Sequence, residues 1–528
     1  MMHDEYMSSE RQPPLLKIPE QPEVARKALP EGAAKLKVID REQGFLRPVI
    51  VDELVGPDHK VRAIWDLTGH WDLRRFENKI RSRQGQAGRA AWDPRLLLSV
   101  WLYAYSEQVT SAREIERLME YEPGLMWLAG LGEVNHHTLS DFRVEHAEEM
   151  KKLLSELLGI LSQEGFVKLE RVAHDGTKIR AHAGADSFRR EGTLEKHIAK
   201  ARAMVEELER QQDPEAEPDK RRQAARKRAA RERAERMELA AKELKEIQAG
   251  KDKEEEREQA RVSLTEPEAR VMKHGDHALA PSYNVQISTD VNKTIVVGVH
   301  LTQCSSDSGS LAASMDEVKA TVGRYPGQVV VDGGFTNQAS IGEMGERKIE
   351  MYGSLAEPEA LSAAAMKRAG IDPAFGPAAF RVNQENQTAE CPAGKTLKYV
   401  GQSKKESGTY LQYRAPAGEC AKCEFQKQCC PRRPEQGRLV SIRITVDAAV
   451  AELREKMKTP EARAIYKQRG AVAEFPNCWI KEKLGIRKFR LRGLAKAATE
   501  ALWGVLTYDV MQWMRLSWIP KRRVTAAA

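Results

Sequence analysis

Gln328-Val329-Val330-Val331-Asp332-Gly333-Gly334-Phe335 is an unbroken apolar run that stops at a carboxylate and two glycines. Such a run without polar alternation is what a strand covered on both faces requires, so it predicts a sheet with helices on each side. Upstream, Phe166 to Ala183 has strand character. There Val167, Leu169, Ala173 and Asp175 fall on one face by the period of two, which sets a carboxylate in line with core positions. Tyr283–Thr289 and Thr294–Thr302 flank the turn Asp290-Val291-Asn292-Lys293 as a hairpin. Helical stretches at about 309–322 and 487–516 could cover the sheet. Strands first, then alternating helix and strand, predict an α/β or α+β sheet domain over 161–516.

A helical domain is expected before it, at 44–160. Asp93 reads as an N-cap and Pro94 as the first helical residue, opening a helix apolar nearly all round through Tyr103. Ser111 to Met119 reads as a second helix, and His137 to Arg143 begins a third with Thr138 or Ser140 as cap. Residues 1–43 and 517–528 read as tails. Two insertions interrupt the sheet domain. One, 187–262, is rich in Glu, Lys, Arg and Ala and describes an extended charged helix or helical hairpin. Its basic block, Lys220 to Arg236, suits nucleic acid, although a solvated face is the plainer reading. The other, 350–450, carries turn residues, short β-prone runs such as Thr409 to Tyr413, and a cysteine cluster.

The chain has 528 residues, 85 basic against 77 acidic, for a net charge of +8. That mild excess is compatible with a nucleic-acid partner without requiring one. No apolar run approaches the roughly 18 residues of a membrane span, and the first twenty residues carry acids and prolines where a signal peptide needs an apolar stretch. A soluble, cytoplasmic protein is expected. Five of the seven cysteines crowd between Cys391 and Cys430, which argues for thiols or metal ligation over a disulfide framework. Cys420-Ala421-Lys422-Cys423 has a zinc-knuckle gap, and a Cys₄ site from Cys391, Cys420, Cys423 and Cys429 is feasible. Reduced, unliganded thiols remain the alternative, because the second pair lacks that spacing. Cys304 and Cys478 look like ordinary small residues.

Asp175 and Asp332 each stand at or just past a strand and directly before glycine, which lets another backbone or a phosphate come close. Asp-Gly is also a common turn dipeptide. A third carboxylate, Glu474, lies in Tyr466-Lys467-Gln468-Arg469-Gly470-Ala471-Val472-Ala473-Glu474-Phe475-Pro476-Asn477-Cys478-Trp479-Ile480-Lys481, and Lys483, Arg487, Lys488, Arg490 and Arg492 follow. On a helix Tyr466 and Arg469 would share a face. Cations that bind a phosphate backbone beside an acid that holds metal would look like this. A surface glutamate paired with its basic neighbours is the plainer alternative. Arg143 and His137 read as structural residues of the helical domain.

The order Tyr466, Arg469, Glu474, Lys481, with Gly485 to Leu494 after it, resembles the Tyr-Arg-Glu-Lys signature and following Arg-Gly helix of bacterial insertion-sequence DDE transposases. Pro94 to Arg143 resembles their InsH-type N-terminal domain, and Asp175-Gly176-Thr177-Lys178, Tyr283-Asn284-Val285-Gln286 and Asp332-Gly333-Gly334-Phe335 follow in the family's order. The resemblance implies an RNase H-like core in which Asp175, Asp332 and Glu474 are catalytic and hold two Mg²⁺ ions, with Mn²⁺ as a substitute. It further implies that Tyr466, Arg469, Lys481, Arg487 and Lys488 contact DNA, and that the partners are double-stranded inverted repeats and target DNA, bound by a homodimer on paired ends. The expected activity is metal-dependent cleavage and strand transfer in cut-and-paste transposition. Two rivals share these residues: an RNase H-like nuclease that does not join, and a transposase-derived DNA-binding regulator without catalysis.

Overall fold

The computed structural model describes Glu42 and residues 48–522, except 84, 86–88, 212–216, 356–357, 384–385, 406–407 and 446. The tail expected at 1–43 otherwise lies outside the described residues, as does 523–528.

The strands in chain order are β1 (Arg171–Arg180), β2 (Phe188–Arg189), β3 (Val262–Ser263), β4 (Arg270–Lys273), β5 (Leu279–Asp290), β6 (Ile295–Thr302), β7 (Gln328–Val331), β8 (Glu350–Gly353), β9 (Arg381–Asn383), β10 (Thr388–Glu390), β11 (Thr396–Lys405), β12 (Gly408–Arg414) and β13 (Leu439–Thr445). The main sheet runs β4-β5-β1-β7-β8, with β6 also on β5. It is mixed: β5 is antiparallel to β1, β4 and β6, while β1, β7 and β8 run parallel. The apolar run of β7 is covered on both faces, as expected. Val329 and Val331 enter the main core, and Val330 enters a second cluster with Tyr352 and Ala462. Alternation along the strand sends neighbouring valines to opposite sides.

β1 begins later than the sequence suggests. Leu169 adopts φ +54, and the carboxylate of Asp290 accepts the N–H groups of Lys168 at 3.1 Å and Leu169 at 2.7 Å. That capped turn ends any strand geometry before Arg171, so Val167 and Leu169 do not share the strand face of Ala173 and Asp175.

The Pro94–Ser106 helix starts as expected, with Asp93 accepting the Arg95 N–H at 2.8 Å. It is buried from Leu96 to Tyr105, because the Leu494–Trp513 helix packs against it: Trp503 lies 6.2 Å from the rings of both Trp101 and Tyr105. One apolar core thus runs from the N-terminal helices into the sheet. Arg143 is buried, sits 4.5 Å over the Trp101 ring and donates to the Thr110 carbonyl at 2.8 Å, so it is structural. His137 is exposed. The third helix begins at His136 and is capped by Asn135, whose side chain accepts from the His137 N–H, instead of by Thr138 or Ser140.

The charged insertion is a helical hairpin, Glu191–Arg210 and Glu217–Ala249, closed at its neck by the β2–β3 pair. Its small core includes Leu194, Ala201, Met237, Ala240 and Leu244. Within the basic block, Lys220, Arg222, Arg226, Arg228 and Arg233 are exposed. The second insertion starts after β8, not at 350, because Glu350–Gly353 pairs with β7 in the main sheet. Its five strands form a separate antiparallel sheet, β13-β12-β11-β10-β9, in which the Thr409 to Tyr413 run is part of β12. The last covering helix begins only at Leu494. Before it the chain follows a bent, irregular path, with Phe489 donating to the Arg180 carbonyl at 2.9 Å, and the buried Glu500 carboxylate captures the N–H groups of Arg490 and Leu491. At the far end, residues 517–522, expected as tail, stay helical. Trp518 is buried there and donates to Asp66 at 3.2 Å.

Candidate active site

The register pairs Ala173 of β1 with Val330 of β7. Two residues further along each parallel strand stand Asp175 and Asp332, at corresponding positions on neighbours about 4.8 Å apart. The electrostatics agree with this placement. Burial, then the like charge of Asp332, then that of Asp307 push the Asp175 carboxyl up to about 6, against the Gly176 N–H and the positive charge of Arg469. Asp175 accepts the Gly176 N–H at 2.9 Å and the Asn477 side-chain N–H at 3.2 Å. Asp332 accepts the Gly334 N–H at 2.8 Å, which holds the turn after β7.

The Arg469–Glu482 helix covers this face. Asn477 reaches Asp175 from it. One turn further on, burial pushes Lys481 down while the Asp175 charge pulls it back up. Glu474 lies one turn before Asn477, exposed and, among the described residues, without a hydrogen bond or ion pair. Tyr466 and Arg469 do not belong to one helix: Pro460–Lys467 ends first, and the next begins at Arg469. Pro476 falls inside that second helix and does not break it. The Tyr466 ring is half-buried against the cluster of Val330, Tyr352 and Ala462. Arg487 is ion-paired with Glu482 and Lys488 is exposed. The structure therefore brings Asp175 together with Asp332, Arg469, Asn477 and Lys481, and leaves Glu474, Arg487 and Lys488 on the rim.

Behind the aspartates lies a polar network that the sequence reading did not identify. Asp307, from the loop after β6, accepts from Asn284 at 2.7 Å and from Gln286 at 3.0 Å. Gln286 also bonds His174 at 3.1 Å, and Ser288 lies 2.9 Å from the other ring nitrogen. Burial pushes His174 down to about 4, so it is neutral. Its ring meets the edge of Phe335, from the turn after Asp332, at 4.8 Å. Gly176 is required here by space: a Cβ would collide with the Asp307 carboxylate and come within 2.7 Å of the Gln286 amide nitrogen. The available signal was the alternation of Asn284 and Gln286 with Tyr283 and Val285, which marks a polar face on β5.

Among the described residues, no three histidine, cysteine or acidic groups are gathered closely enough to hold a metal ion. The donor set around Asp175 nonetheless fits a hard cation. It consists of oxygens, and the buried side-chain oxygen of Asn477, whose amide bonds Asp175, has no hydrogen-bond partner. No helix of the described residues is long and apolar enough to cross a membrane.

Residues 390–513 match the family described as Transposase DDE domain, and residues 49–145 match the family described as Transposase domain (DUF772). The first match contains Glu474 and the basic stretch after it; Asp175 and Asp332 precede it. No curated protein and no solved structure gives a match.

Proposed function

We propose that this chain, which belongs with the DDE transposases by those two matches, cleaves DNA at the ends of an insertion sequence and joins the freed ends to a target. The observation that carries this reading is the placement of Asp175, within β1, beside Asp332, just past the end of the parallel neighbour β7, where burial and then the like charge of Asp332 lift the Asp175 carboxyl to about 6. The strand order β6-β5-β1-β7-β8 supports an RNase H-like core.

Divalent cations, when bound, would stabilise the attacking and leaving oxygens of an in-line phosphoryl displacement. Asp175 and Asp332 would hold them, with Glu474 completing the set from the covering helix. Mg²⁺ suits the all-oxygen donors, and Mn²⁺ has similar demands. Asn477 orients the Asp175 carboxylate through its hydrogen bond. Arg469 and Lys481 flank the acids with positive charge and would bind the phosphates next to the scissile one. Tyr466, held against β7 by its packing, would present its hydroxyl to the terminal nucleotides. Lys488 would extend the cationic track, with Arg487 joining it once released from Glu482.

End recognition is assigned to the helical segment before the sheet, where Arg113, His136 and His137, joined by Arg490 from just before the last helix, line a cleft of about 290 Å³. Two ends joined in one event imply a homodimer on paired ends. The test is product analysis on duplex DNA carrying the inverted repeats that flank the coding sequence. Ends joined to target DNA support the transposase, cleavage without joining the nuclease, and binding without cutting the regulator.

A further inference from the structure

The β9–β13 sheet has its own core: Phe380, Ala389, Leu397, Tyr413, Ala415 and Val440. Full burial of a large apolar side chain contributes about 1.5–3 kcal/mol, and two of these six are alanines. Ordering the backbone costs about 1–2 kcal/mol for every residue of the module. So small a core is commonly supplemented by disulfides or a metal.

The cysteines stand where such a staple would act. Cys391, Cys420, Cys423, Cys429 and Cys430 all line one cavity of about 30 Å³, walled by Phe375, Phe380 and Phe425. They arrive from separate segments of chain. Cys391 opens a tight turn in which Gly394, at φ +72, donates its N–H to the Cys391 carbonyl at 2.8 Å. Cys420 and Cys423 flank a second turn, closed by a Cys423 N–H to Cys420 carbonyl contact of 3.4 Å. Cys429 ends the short Gln426–Cys429 helix.

Two of the sulfurs already receive backbone donors. Lys395 N–H points to the Cys391 sulfur at 3.4 Å, and Arg438 N–H to the Cys420 sulfur at 3.3 Å. A neutral thiol accepts weakly, whereas the same bonds to a thiolate are charge-assisted. Cys430 differs from the other four: it is buried, and its S–H points to the Arg432 carbonyl at 3.6 Å.

We propose that Cys391, Cys420, Cys423 and Cys429 form a structural zinc site that closes the β9–β13 module. All four line the one cavity, but no three of them are gathered closely enough to hold an ion as they stand, so binding zinc would require their side chains to turn inward to Zn–S distances of about 2.3 Å. The four thiol protons pass to solvent as four Zn–S bonds form. The site is remote in purpose from the aspartates and does not depend on the transposase reading.

The test uses the full-length protein, purified under reducing conditions without chelator and dialysed against ZnCl₂ and then metal-free buffer. Plasma mass spectrometry should then give about one zinc per chain. The Cys420→Ser, Cys423→Ser double variant should lose it, while Cys430→Ser, Cys304→Ser and Cys478→Ser should keep it. A strong chelator should make residues 371–445 of the wild-type chain protease-sensitive, and added zinc should restore resistance. Fewer than roughly 0.1 zinc per wild-type chain, full zinc in the double variant, or proteolysis indifferent to chelator would each overturn the proposal. Neither readout involves DNA, so failure here leaves the cleavage reading standing, and the reverse.

Discussion

Asp175→Asn should make the metal-free protein more stable at pH 8 while ending its catalysis. The carboxyl is lifted from 3.8 to about 6 in the fold, which corresponds to about 3 kcal/mol against the ionised form. The amide removes that charge and keeps one acceptor oxygen, so one of the two hydrogen bonds now accepted is lost, at about 1 kcal/mol. The remainder is a gain of about 2 kcal/mol. If all 528 residues unfold together with about 2 cal/mol/K each, the melting temperature rises by roughly 2 °C. The sign with pH follows from linkage. A raised carboxyl makes the folded state bind more protons than the unfolded one between pH 4 and 6, so wild-type stability falls as pH rises through that window. The variant's advantage is therefore full at pH 8 and absent near pH 4. Added Mg²⁺ should stabilise the wild type and not the variant. Differential scanning calorimetry at both pH values checks this. A variant no more stable than wild type at pH 8, or one with the same gain at pH 4, would refute the burial and like-charge reasoning.

Three further outcomes follow from the same packing. Gly176→Ala places a methyl against Asp307 and Gln286; overpacking of this kind costs about 1–3 kcal/mol, and end cleavage should fall at least about tenfold as Asp175 is displaced, both read by thermal melting and single-turnover cleavage. Tyr466→Ala should slow cleavage without abolishing Mg²⁺-induced stabilisation, and full activity in that variant would reject its role at the DNA end. Trp503→Ala empties the junction where Trp101 and Tyr105 meet the covering helix, and should lower unfolding free energy by about 3–5 kcal/mol, measured by denaturant titration in one transition if the core is continuous.

The sheet was legible in the sequence because β7 is a plain valine run and the β5–β6 hairpin has a turn at Asp290, both local signals. The two aspartates were legible for the same reason: each follows strand character and precedes glycine. What escaped depends on contacts between distant segments. The start of β1 is set by the Asp290 carboxylate, and the bend at Arg490 and Leu491 by Glu500. Neither can be inferred from local propensity. Asn477 meets Asp175 only after the chain has passed through the hairpin, the main sheet and the second insertion, and Asp307 joins Asn284 and Gln286 from the loop after β6. Tyr466 and Arg469 were expected on one helix because their spacing allows it, yet the chain starts a new helix at Arg469. Trp518 sat in an apparent tail, and only its docking in the core shows that the helix continues.

The most direct measurement is metal-dependent nicking of inverted-repeat DNA by the wild type and by Asp175→Asn, Asp332→Asn and Glu474→Gln, with DNA binding measured in parallel. Each substitution should lower single-turnover cleavage by at least about a thousandfold while binding is retained. A Glu474→Gln protein that nicks at the wild-type rate would remove the third acid from the site, and retained cleavage in either aspartate variant would contradict the assignment of the neighbouring aspartates as the catalytic centre.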